Sequence, residues 1–178
     1  MVRIRPEASR DASAIEAVTI AAFRDAPHTS HTEPFIVAAL RAAGALAVSL
    51  VAEVDGEIVG HVAVSPVTIG EGLSGWCGLG PISVAPGHQS RGFGSKLMHA
   101  ALHALRWRGA AGCVLVGEPA FYGQFGFRAT ADLVYPDAPA EYFLALSFRT
   151  ALPRGIVRYH AAFSAAGDAG RDATTRVE

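Results

Sequence analysis

Residues 79–108 read LGPISVAPGHQSRGFGSKLMHAALHALRWR, and three patterns follow one another within them. The run Pro81-Ile82-Ser83-Val84-Ala85 has the length and composition of a buried strand and stops at Pro86-Gly87. Gly92 and Gly94 come next, and behind them Leu97, Met98, Ala101, Leu102 and Leu105 recur at the spacing of one helix face. The spacing predicts a helix over 95–108 with Gly109 as its stop. A turn placed this way suits an anion. The first amides of a helix have no intrahelical partner and lie at the positive end of its dipole, and glycines leave no Cβ between them and a phosphate. Arg91 adds a mobile positive charge beside the turn.

Two phosphate motifs fail on their own residue requirements. A dinucleotide fold wants a third glycine where Leu97 stands, and a P-loop wants Gly-Lys-Ser/Thr where the chain reads Gly94-Ser95-Lys96-Leu97. The pattern Gln89-x-x-Gly92-x-Gly94 on a strand-turn-helix instead resembles the pyrophosphate motif of the GCN5-related N-acetyltransferase (GNAT) family. That resemblance implies acetyl-coenzyme A as co-substrate. It assigns the pyrophosphate to the amides of Gln89, Ser90, Arg91, Gly92, Phe93, Gly94 and Ser95, and pantetheine to the backbone of Ile82, Ser83 and Val84, with Phe121 also in the coenzyme site.

Composition narrows the rest. The chain has 178 residues, 51% apolar and 17% charged, which suits one globular domain with an ordinary core. Net charge is −1 and the basic residues do not cluster, so no nucleic-acid partner is expected. Cys77 and Cys113 are far apart and lack ligand spacing, which suggests neither a disulfide framework nor a metal site; Cys113 reads as strand core. The opening MVRIRPEASRD has no apolar segment of the signal-peptide kind, and no apolar run approaches membrane length. A soluble, cytoplasmic protein without a membrane partner is the expectation.

Residues 2–5 alternate like a short edge strand, and Asp11 opens a helix with Ile15, Val18, Ala22 and Phe23 at helical spacing. A polar loop follows, and Thr32 before Glu33-Pro34 reads as the cap of a second helix ending near Gly44. In the GNAT family acceptor loops lie here, which makes His28, His31 and Glu33 candidates for substrate contact, or solvated loop and cap residues. Runs 46–54 and 57–67 flank Asp55-Gly56, a strong hairpin signal. His61 reads as a satisfied or partly exposed histidine without a role. Residues 70–80 hold five glycines and Trp76 and read as a flexible connection able to move when ligand enters.

The run Cys113-Val114-Leu115-Val116 predicts a strand buried on both faces and parallel to the strand before the turn. Then comes Gly117-Glu118-Pro119-Ala120-Phe121-Tyr122-Gly123-Gln124-Phe125-Gly126-Phe127, a short helix from about Pro119 and a turn into another strand. Phe121, Tyr122, Phe125 and Phe127 form an aromatic cluster able simply to pack. The Phe-Tyr-x-x-Phe-Gly-Phe segment also resembles the GNAT family, where a tyrosine on this helix points toward the thioester sulfur; by position that is Tyr122. Residues 131–140 read as a loop or irregular edge, 141–148 as a strand, and 155–163 as the last ordered piece. Beyond 164 the composition predicts a disordered tail.

With both motifs in order, the resemblance covers most of residues 1–148 and looks closest to the YhbS-like branch. It implies a single-domain α/β (α+β) fold, with a mixed, mostly antiparallel central sheet flanked by helices and two parallel strands splaying to form the coenzyme slot. Domain limits of 1–148, a packed extension over 149–163 and a tail over 164–178 follow. The implied reaction is direct attack of a primary amine on the acetyl thioester, with Tyr122 as general acid. The acceptor is a small-molecule amine or a peptide or protein amine, and a homodimer is left open. Many family members carry a carboxylate on the strand entering the turn, where this chain reads Trp76-Cys77-Gly78-Leu79-Gly80-Pro81-Ile82. Deprotonation then falls to Glu118, Glu33, a histidine of the 28–31 loop, or water; Glu118 reads equally as an acidic first-turn residue. A non-catalytic acyl-coenzyme A sensor, and transfer of another acyl group to a different acceptor, are the alternatives.

Overall fold

The chain reverses at Asp55-Gly56 with both residues in the left-handed region, φ 50 and 86, the geometry a two-residue hairpin demands. The strands so joined, β2 (Val48–Val54) and β3 (Glu57–Ile69), pair antiparallel. Outside β2 lies β1 (Val2–Pro6) and beyond β3 lies β4 (Leu73–Val84), both antiparallel to their neighbours. Next come β5 (Gly112–Val116), parallel to β4, then β8 (Phe143–Ser147) and the two-residue β6 (Arg128–Ala129). At the far end of β3, β9 (Gly155–Arg158) adds a further pairing, and β7 (Leu133–Val134) runs parallel to β9. The structure is a computed structural model and describes residues 1–27, 29–149 and 151–167. It is the mixed, mostly antiparallel sheet anticipated, with one parallel pair inside the strand order β1-β2-β3-β4-β5-β8-β6.

Alternation along the strands decides which helix covers which face. Leu50, Ala52, Val62 and Val64 pack under α3 (Phe93–Trp107), whose Leu97, Met98, Ala101, Leu102 and Leu105 are all buried. Val51 and Ala63 point the other way, to Ile15 of α1 (Ala12–Phe23) and Val37 of α2 (Glu33–Ala42). Each fully buried Leu or Met contributes about 1.5–3 kcal/mol, so α3 is held far more by its buried stripe than by propensity. Gly109 stops it at φ 77, with Gly109 N–H donating to the Arg106 carbonyl at 3.0 Å and Ala110 N–H to that of Leu105 at 3.1 Å.

Several expectations are corrected. The helix begins at Phe93, two residues early, because Gly92 itself serves as the N-cap. The glycine-rich stretch 70–80 is no flexible connection: β4 starts at Leu73, and two of its pairings with neighbours need bare backbone. A Cβ on Gly112 of β5 would clash with the Trp76 ring of β4, and one on Gly78 would clash with Tyr159. Thr32 is the N-cap of α2 by position but makes no side-chain cap bond, since its hydroxyl pairs with Ser30 at 2.7 Å. His61, read as satisfied or partly exposed, is wholly buried, with its Nε2 hydrogen-bonded to Ser49. Residues 140–142 form a 3-10 turn before β8. In the region read as irregular, β7 forms a strand of two residues. Cys77 and Cys113, distant in sequence, are register partners across β4 and β5, free and buried. Of the stretch read as a tail, residue 164 closes a 3-10 turn, Ala161–Ser164, and residues 168–178 lie outside the described residues, as does His28.

Candidate active site

The parallel pair is short. β4 and β5 keep register at Trp76 with Gly112, Cys77 with Cys113 and Gly78 with Val114, and there the pairing ends. On its other edge β4 continues to pair with β3 as far as Val84 with Gly60. From Leu79 to Val84 one edge of β4 is therefore bonded and the other is left without a strand. Ile82, Ser83 and Val84 lie on this length. The Ser83 side chain turns to the α1 face, where its hydroxyl lies 3.4 Å from that of Thr19, and its backbone pairs with His61 of β3.

At the end of β4 the chain passes through a 3-10 turn, Pro86–His88, into α3. Gly92 takes φ 78, and no side chain caps the helix. The first bond within the helix is Lys96 N–H to the Gly92 carbonyl at 3.1 Å, so the amides of Phe93, Gly94 and Ser95 have no intrahelical acceptor. A cavity of about 290 Å³ opens beside them, lined by Val84, His88, Gln89, Ser90 and the residues Gly92 to Ser95, with Phe121 opposite. A Cβ on Gly94 would project between Phe121 and Val84, 3.9 and 4.0 Å away. The Gln89 amide donates to the Val84 carbonyl at 3.1 Å and so braces the turn. Arg91 is exposed between two lining residues. His88, which the sequence reading passed over, stacks on Phe93 at 6.1 Å.

Tyr122 ends α4 (Pro119–Tyr122). Its ring lies flat on Gly117, where a Cβ would clash with it, and meets Phe121 edge-on at 4.9 Å and Phe127 at 6.3 Å. Burial pushes its phenol up to about 12, which keeps it protonated. Glu118 is the N-cap of α4; its carbonyl accepts from the Phe121 and Tyr122 amides at 3.1 Å, while its side chain is exposed and makes no capping bond. Neither Glu118 nor Tyr122 lines the cavity at the turn.

A second cavity, about 210 Å³, lies where the strands part. Leu79, Gly80 and Pro81 of β4 and Val116 of β5 form one side. Phe23, Glu33 and Ile36 from the first two helices, and Tyr135, Tyr159 and Phe163 from the C-terminal third, form the other. Glu33 Oε1 accepts from the Thr29 hydroxyl at 2.6 Å, and its Oε2 is buried without a partner among the described residues. The Tyr135 and Tyr159 rings lie 4.8 Å apart, and Tyr159 meets Phe163 at 4.7 Å. Burial holds the Tyr159 phenol well above its ordinary value. His31 faces a different hollow, with Ile20, Arg24 and Pro34. The aromatic wall was not legible in the sequence, because its rings come from three separated segments.

Behind the α1 face lies a partly buried polar chain that ends at the fully buried His61. His61 Nε2 is 2.8 Å from the Ser49 hydroxyl, which donates to Glu7, and Arg41 grips the same carboxylate at 2.8 and 3.0 Å. Burial lowers the His61 pKa more than Glu7 raises it. Burial alone would raise the Glu7 pKa, yet His61 3.6 Å away and the hydrogen bonds from Arg41 and Ser49 hold it well below the carboxylate range. Nothing in this network reaches the two cavities, and it serves the fold.

No group of three or more metal-ligating side chains gathers among the described residues, and no helix there is long and apolar enough to cross a membrane. Residues 46–129, which contain β4, the turn and α3, match the family model for the acetyltransferase (GNAT) domain. The chain is 34% identical over 169 residues to the uncharacterised N-acetyltransferase YhbS of Escherichia coli strain K12, covering 90% of this chain and 98% of that one. A crystal structure of a GNAT family acetyltransferase from Brucella melitensis in complex with acetyl-CoA superposes with a TM-score of 0.83 at 48% identity, over 92% of this chain and 98% of that one. The E. coli YhbS structure in complex with CoA also gives 0.83, at 32% identity, over 93% of each chain.

Proposed function

The chain belongs to the GNAT family of N-acetyltransferases, and from that premise we propose that it transfers the acetyl group of acetyl-coenzyme A to a primary amine by direct attack within a ternary complex. The observation that carries this reading is the strand-free edge of β4 leading into the uncapped start of α3. It suits the coenzyme chemically. Amides at a helix N-terminus favour a pyrophosphate, and glycines at 92 and 94 leave room for it. A chain laid along β4 from Val84 back to Gly80 spans about 13 Å, which leads from the anion turn to the cavity where the strands part. The relatives crystallised with acetyl-CoA and CoA share the fold at 48% and 32% identity.

Positioning is then the main source of rate. The amine nitrogen forms its bond to the acetyl carbon, the carbon–sulfur bond breaks, and the electron pair leaves on sulfur. An alkylammonium of pKa near 10 must first lose a proton; Glu118, Glu33, a histidine of the 28–31 loop and water are the proposed acceptors. The nitrogen's second proton and the thiolate balance through Tyr122, whose protonated phenol is the proposed acid and is recharged by that proton. With its two cysteines free and an acyl-coenzyme A donor, the proposed place of action is the cytoplasm. The proposed division is a catalytic unit over 1–148 with the extension 149–163 packed against it.

Calorimetric titration with acetyl-coenzyme A, beside ATP and NADH, tests the reading, followed by thiol release in the presence of amines. Selective binding with amine-dependent thiol release is expected. Binding without release from any amine points to a sensor, and no binding by folded protein overturns the site.

A further inference from the structure

The cavity where β4 and β5 part is built for one kind of ligand, and no comparison assigns it any. Glu33 is its one formally charged lining residue among those described. One carboxylate oxygen is satisfied by Thr29; the other is buried with no donor among the described residues. A buried carboxylate oxygen left unpaired is costly, and its complement is an N–H donor that brings positive charge. Around it stand Phe23, Tyr135, Tyr159 and Phe163, whose ring faces favour a cation or a flat apolar body. Neither Arg nor Lys lines the cavity among the described residues. A carboxylate entering beside the amine would find no counter-ion and would face Glu33.

We propose that this cavity receives a primary ammonium carried on an aromatic or alkyl body, that the Glu33 carboxylate is the group that binds it, and that amino acids are rejected by their own carboxylate. This rests on the acetyl-coenzyme A reading above. The ammonium sits at Glu33 with its body against the aromatic wall, and its nitrogen faces the parted strands.

Two amines that differ by one carboxylate make the test: 2-phenylethylamine and phenylalanine. With saturating acetyl-coenzyme A, kcat/KM for 2-phenylethylamine is expected to exceed that for phenylalanine by about tenfold or more, since losing a charge partner on binding is worth that much. Glu33→Gln is expected to raise KM for 2-phenylethylamine, and its Kd in the coenzyme A complex, by about 10- to 100-fold. The smaller effect falls on kcat, acetyl-coenzyme A affinity is unchanged, and Glu33→Asp restores part of the loss. Equal use of the two amines overturns the proposal, as does an unchanged KM in Glu33→Gln, or acetyl-coenzyme A binding with no use of 2-phenylethylamine; in these cases the coenzyme reading stands. Failure to bind acetyl-coenzyme A removes both. Should Glu33→Gln not fold, the wild-type comparison of the two amines decides alone.

Discussion

Gly78 and Val114 are the last residues at which β4 and β5 stay in register, and from Leu79 to Val84 that edge of β4 has no strand beside it. The anion turn lies at one end of this free length and the aromatic cavity at the other. On the proposed reading, coenzyme and acceptor meet along this strand-free edge.

Gly94 is the position at which coenzyme binding separates from folding. Its Cβ would make only ordinary contacts, at 3.9 Å to Phe121 and 4.0 Å to Val84, and φ there is not positive. Gly94→Val is expected to fold but to fill the turn's cavity and weaken acetyl-coenzyme A binding by about tenfold or more, as loss of one or two charge-assisted hydrogen bonds would. Calorimetry beside a melting curve measures both. Unchanged affinity in folded Gly94→Val places the anion elsewhere.

Tyr122 offers a phenol held at about 12 by burial, protonated over the whole working range. Tyr122→Phe is expected to lower kcat by about 10² to 10⁴ if it delivers the proton to sulfur, with acetyl-coenzyme A affinity unchanged. Steady-state rates with one amine at saturating coenzyme check this. Wild-type turnover in the variant would leave the ring as core packing alone.

The glycines of the central pair are required by aromatic rings. Gly112→Ala forces a methyl against Trp76, and overpacking of this kind costs about 1–3 kcal/mol. Each kcal/mol lowers Tm by about 2–4 °C in a protein of this length. Gly87→Ala, with open space around it and ordinary φ, is the control and is expected to change little. A Gly112→Ala protein as stable as wild type would mean that Trp76 has another place to go.

Acid stability has two stages with one sign. His61 has its folded pKa lowered, chiefly by burial, so below about 6.5 the unfolded chain binds a proton that the folded one refuses. Stability falls with pH there first. Glu7 is held low by hydrogen bonds that outweigh its burial, and Asp11 sits at about 2 through the Arg5 hydrogen bond and the Ala8 amide. Their contribution is complete above the ordinary carboxylate range and is lost as pH falls below about 4.3. Scanning calorimetry from pH 8 to pH 3 should show both stages, and His61→Gln should lack the first. A His61→Gln protein that retains it would assign that stage to another group.

Leu97, Met98, Ala101, Leu102 and Leu105 are buried as their spacing predicts, and Asp55-Gly56 turns as its residues require. Both signals are local: a helix face and a tight turn are defined within a few residues, so the chain itself carries them. The glycines of 70–80 show where local reading stops. Taken alone they read as slack, but Gly78 is bare because Tyr159 needs the space, as Gly112 of β5 is because of Trp76, and those partners lie 81 and 36 residues away by their numbers.

By itself the sequence determined the strand, turn and helix of residues 79–108, the free amides that follow from a glycine at the helix start, and the family to which those residues point. Only the tertiary structure decided that β4 and β5 part after Gly78, that Tyr135, Tyr159 and Phe163 wall a cavity there, and that Glu33 rather than Glu118 lines it. The physical reason is range. Backbone amides at a helix N-terminus are set by the residues beside them, whereas a cavity is the space left by distant segments, and no spacing within any one of them encodes its shape.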